Sequence, residues 1–136
     1  MDRKKRRSLL ALLFRAGDAK RYRINAQIVF STMQRIVESD WKHLRSMKDK
    51  KLADACQSAF DKISHLISQS KGAEHETYLK IWKTIREEDK KIELMFDGIS
   101  RSSAIFKLLA WKKYGLLSSH EESEFSSKTQ AILRGL

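Results

Sequence analysis

The chain has 136 residues, no proline, 5 glycines, 1 cysteine and a net charge of +11. That length suits a single domain with one hydrophobic core. The shortage of turn-forming residues excludes a β-rich fold, and a lone cysteine excludes an internal disulfide and fits a reducing compartment.

The first expected element is a short basic helix, "RKKRRSLLALLFRAG", with Gly17 as its stop and Asp18 as the N-cap of the next. Its leucines dock residues 1–17 onto the rest of a single helical-bundle domain, 1–136. From Asp18, Tyr22, Ala26, Val29, Phe30, Met33, Ile36, Val37, Trp41 and Leu44 recur at spacings of three and four, one face of a long helix running to about Ser46. "SMKDKK" reads as the first polar break.

Leu52, Ala55, Cys56, Ala59, Phe60, Ile63, Leu66 and Ile67 repeat the pattern on a third helix, which "SQSKGAE" ends. A fourth carries Tyr78, Ile81, Trp82, Ile85, Ile92, Met95 and Phe96 on its apolar face. "FDGISRSS" interrupts, and "SAIFKLLAWKKYG" is the fifth. A last helix starts at Ser118, where Ser118 and Glu121 match a capping box, and carries Phe125, Ala131, Ile132 and Leu133. No segment alternates with a period of two. The expected fold is all-α: a helical bundle of about five to six helices, three of them long and amphipathic.

Sequence signatures of catalysis are missing. There is no Gly-rich phosphate loop, no Gly-x-Ser-x-Gly, and no His-Glu-x-x-His. Asp40 with His43, and Asp61 with His65, could each share a helix face, but no Glu-x-x-His accompanies them as a carboxylate-bridged dimetal bundle requires. One cysteine cannot supply a zinc finger, and Cys56 falls on an apolar face, as a structural thiol does. The expectation is no enzyme, no catalytic residue, no metal, no cofactor and no small-molecule substrate.

The charge is placed unevenly. Residues 1–51 hold 15 Lys/Arg against 5 Asp/Glu, a net of +10, whereas residues 52–136 hold 13 against 12, a net of +1. One region therefore projects a positive field. The opening stretch resembles a signal peptide, but its apolar run, Leu9–Phe14, is shorter than an h-region and Arg15 ends it at once. That run also falls far short of the ~20 residues of a membrane span, so a cytoplasmic location is expected and a membrane partner is not.

Clustered cations that neutralise phosphates release counterions, giving affinity that ignores base sequence. The candidate nucleic-acid contacts are Arg3, Lys4, Lys5, Arg6 and Arg7, then Lys20, Arg21 and Arg23, with Arg35, Lys42 and Arg45 further along the same helix. A second cluster lies on the fifth helix: Arg101, Lys107, Lys112 and Lys113. Trp111 and Tyr114 are interleaved there, where they either stack on unpaired bases or pack in the core with Ile105 and Leu108. No base-reading module is present.

In architecture and charge, "KRYRINAQIVFSTMQRIVESDWKHL" as a long amphipathic helix and "SRSSAIFKLLAWKKYG" as a basic one give a chain that resembles the small all-helical subunit of multi-subunit CRISPR effector complexes. That resemblance implies a non-catalytic subunit of a larger ribonucleoprotein. Its partners would be single-stranded DNA or a guide/target duplex, larger protein subunits and copies of itself. The alternatives are a helical adaptor with an acidic protein partner and a basic amphipathic protein of the membrane surface.

Overall fold

The structure, a computed structural model, describes residues 34–135. The expected helix of residues 1–17, and the start of the second helix with it, lie outside the described residues. What is described is all-α: α1 (Glu38–Ser68), α2 (Glu74–Phe96), α3 (Ala104–Lys113), α4 (Ser119–Ser123) and α5 (Ser127–Arg134). Two of these are long, where three long helices were expected.

The largest difference from expectation is the boundary between the second and third helices. Arg35–Val37 are not helical, α1 starts at Glu38, and it runs through "SMKDKK" without a break. Met and Lys are good helix formers, and the segment holds neither Gly nor Pro, so nothing in it stops a helix. Glu38 and Asp40 supply the acidic first turn that a helix start favours. The expected last helix is two: α4, opened by the Ser118–Glu121 capping box as anticipated, and α5, for which Ser126 provides a second N-cap.

The described residues fall into two compact units, one of residues 34–46 and 98–135, the other Met47–Asp97. In the first, α3 is the centre. Every residue from Ala104 to Trp111 is buried, and Leu108, Ala110 and Trp111 are fully so. A helix that is buried all round belongs inside a core. α3 packs on α5, and α5 on α4, while Ile36, Trp41, Leu44, Leu117, Phe125 and Leu133 fill the remaining space. α3 ends in a Schellman motif: Gly115 sits at φ +75°, and the amides of Gly115 and Leu116 return to the carbonyls of Lys112 and Trp111.

Asp40, 3% exposed, ties the first turn of α1 to the start of α5. Its carboxylate accepts from the Ser126 amide at 2.9 Å, the Ser126 hydroxyl at 2.5 Å and the Thr129 hydroxyl at 2.6 Å. Buried carboxylates persist only when satisfied in this way.

The second unit is a helical hairpin. The rest of α1 and α2 are joined by the short turn Gln69–Ala73, with Gly72 at φ +83°, a connection that makes the helices antiparallel neighbours. Ala55 and Ala59 of α1 and Thr77, Glu88 and Met95 of α2 are its buried positions. Glu88 accepts from Lys62 across the pair at 2.6 Å and from Lys91 at 2.8 Å.

Candidate nucleic-acid interface

Arg3, Lys4, Lys5, Arg6, Arg7, Lys20, Arg21 and Arg23 lie outside the described residues. The second expected cluster is described, and the fold divides it. Lys107 is only 6% exposed, on the all-buried helix α3, with its ammonium 5.7 Å from the Phe106 ring centroid. A lysine enclosed in this way cannot meet a phosphate backbone, so Lys107 is corrected from a contact residue to a core-edge one. Lys112 donates to Glu122 at 3.0 Å and to the Leu133 carbonyl at 2.7 Å, closing the C-terminal turn of α5. Its charge serves the fold. Lys113 is exposed. Trp111 is fully buried and is core, not a base-stacking platform; Tyr114 is half-buried.

Arg101 has a different setting. It donates to Glu38 through Nε at 2.9 Å and Nη2 at 2.8 Å, a bidentate pair. Its guanidinium lies 5.4 Å from the centroid of the Trp41 ring, and that of Arg45 lies 5.9 Å from the same ring. The indole is buried, so it serves as a seat for the two guanidinium groups rather than as a surface for bases.

Glu38 is held below its ordinary acidity range, first by the hydrogen bonds from Arg101, against a small opposing desolvation, then by the charges of Arg101, Lys42 and Arg35. Those effects map a cluster. Arg35, Lys42, Arg45 and Arg101, all exposed, gather about the start of α1 with Glu38 as the one carboxylate their charges bear on. Four cations against one acid leave an excess of three positive charges at one place. The fold thus joins Arg101, from the second expected cluster, to the cationic continuation of the first.

The alternative chemistry finds no centre. Asp40 is committed to Ser126 and Thr129, and the His43 ring packs edge-on against Phe125 at 4.8 Å. Asp61 accepts from Gln57. Among the described residues no three His, Cys, Asp or Glu side chains gather as a metal site would need, and no helix is long and apolar enough to cross a membrane.

Sequence reasoning missed one feature of the surface. Phe60, Ile67, Tyr78, Trp82 and Ile85, which periodicity assigns to apolar core faces, are exposed in the hairpin. Spacing identifies residues that share a face, but not whether a neighbour covers it. Set beside known proteins, the chain matches no family model, no curated protein and no solved structure.

Proposed function

We propose that this chain is a non-catalytic subunit that holds a DNA or RNA backbone without regard to sequence, within a larger ribonucleoprotein complex of the CRISPR type that the sequence resembles. The observation that carries the reading is the cluster of Arg35, Lys42, Arg45 and Arg101 about the single carboxylate of Glu38. It sits on a chain whose first 51 residues carry a net +10. A phosphate entering the cluster meets more cations than the fold neutralises. Arginine offers it paired donors in a fixed fork. Nothing in such a site distinguishes one base from another, so affinity comes from counterion release and falls with salt.

The test is binding of single-stranded and duplex DNA and of RNA across a salt series. The triple substitution Arg35→Gln, Lys42→Gln and Arg45→Gln should weaken binding by roughly two orders of magnitude at moderate salt and flatten the salt dependence by about two to three phosphate contacts. Lys80→Gln with Lys83→Gln, exposed cations of the hairpin unit, should change little. Reversing Lys4, Arg6, Arg21 and Arg23 should remove most of the remaining affinity with helicity intact. Binding of the triple variant as tight as the parent's defeats the assignment of this cluster. Absence of binding by the parent defeats the function.

A further inference from the structure

We propose that the hairpin Met47–Asp97 is a self-association surface, pairing with the hairpin of a second copy to form a four-helix arrangement. The inference stands on the hairpin alone and does not depend on nucleic-acid binding.

Two strips carry it. On α1, Cys56, Phe60, Ile63 and Ile67 follow at spacings of four, three and four; on α2, Tyr78, Trp82, Ile85 and Asp89 do the same. That is the spacing of a helix–helix seam. With about 100° between successive residues, the α1 strip lies roughly a quarter-turn round from Ala55 and Ala59, the buried side of α1. The α2 strip lies a similar angle round from Thr77 and Glu88, in the same sense of rotation. In an antiparallel pair, equal senses of rotation bring both strips to one side of the hairpin. Each helix thus spends one apolar sector on its partner and leaves the adjoining sector open.

The size of the open sector argues that something covers it. Phe60 is 58% exposed, Tyr78 57% and Trp82 49%. At half exposure these three rings alone present on the order of 300 Å². Ile67, Leu79 and Ile85, also exposed, extend the surface past what monomeric proteins usually leave open, and with its polar rim it approaches the ~800 Å² per partner of a stable interface.

Charge selects the occupant. The chain carries +11, yet Met47–Asp97 holds ten Lys/Arg and ten Asp/Glu, a net of zero. A phosphate backbone gains nothing from a neutral face. A second copy of this basic chain, in contrast, meets no net repulsion there. The face is also self-complementary. An antiparallel α2–α2 contact with its two-fold axis at Trp82 sets Tyr78 of one copy beside Ile85 of the other. The same register sets His75 beside Asp89. Such a two-fold contact closes on itself and stops at the dimer.

The test is sedimentation equilibrium of the full chain after nuclease treatment, in high salt, at tens of micromolar protein, where a micromolar dimer is well populated. The parent should weigh about twice its 15.9 kDa, and Trp82→Glu should return it to the single-chain mass with unchanged helicity. Tyr78→Glu, on the same strip, repeats the test should the tryptophan change also perturb folding. Lys80→Glu, an exposed change on the far side of α2, should remain dimeric. A parent that stays at the single-chain mass overturns the proposal, as does a dimer that survives both strip substitutions.

Discussion

Asp40 offers the sharpest test of how the first unit is held. Replacing it with alanine removes a carboxylate that accepts three hydrogen bonds, leaving the Thr129 hydroxyl and the Ser126 amide without it in a buried setting. A hydrogen bond to a charged group contributes about 1.5–3 kcal/mol. The three share one acceptor, and the half-buried Ser126 hydroxyl can turn to water, so they do not add in full. The expected loss for Asp40→Ala is about 3–5 kcal/mol, the range for removing one member of a buried charged network. For a chain of this size that lowers the thermal midpoint by roughly 10–20 °C, read by far-UV circular dichroism. Asp40→Asn keeps the volume and one acceptor oxygen but points an NH2 at a donor, and should cost about 2 kcal/mol. Combining Asp40→Ala with Thr129→Val should be less than additive by about 1–2 kcal/mol. If Asp40→Ala stays within about 1 kcal/mol of the parent, the network is not what joins α1 to α5.

Two further perturbations probe other joints. Burial pushes the Glu88 carboxyl up, but hydrogen bonds from Lys62 and Lys91 and their charges more than offset this and hold it below its ordinary 4.5. Its folded value lies below its unfolded one, so its ionised form stabilises the hairpin above the unfolded value, and that contribution fades as pH falls through the folded value. Glu88→Gln should therefore cost about 1 kcal/mol at neutral pH, discounted for the part-exposed lysines, and the gap to the parent should close in urea melts taken well below pH 4.5. Lys112→Ala removes the donors to Glu122 and to the Leu133 carbonyl, and should cost about 1–2 kcal/mol in the same melts; an unchanged midpoint would show that water replaces the lysine at the end of α5.

The helical class was legible because its signals are local. Spacings of three and four marked the faces of α2 and α3, and the Ser118–Glu121 box fixed the start of α4 to the residue. Two errors share one origin. "SMKDKK" was taken for a break because it is polar, yet a run of helix-forming polar residues continues a helix as readily as it ends one. Ser126 went unnoticed as a cap because the residue that anchors it, Asp40, lies 86 positions away. The site was legible in its charge but not in its assembly. Arg101 and Glu38 are 63 residues apart, and only the fold shows that Arg101 joins Arg35, Lys42 and Arg45 while Lys107 is drawn inside. The hairpin's open face was hidden for a related reason. The periodicity of Tyr78, Trp82 and Ile85 is the same whether a face is covered by its own chain or by another.

The enclosure of α3 has a consequence for how the first unit opens. Eight successive residues, Ala104 to Trp111, have no solvent-facing side, so no fluctuation can lift one edge of that helix while its neighbours stay in place. Its amide hydrogens can meet water only when the surrounding elements have already left, and they should exchange at the rate set by unfolding of the whole unit. α4, with no buried residue, should exchange orders of magnitude sooner. The chain's slowest clock therefore runs in the ten-residue helix rather than in the two long ones.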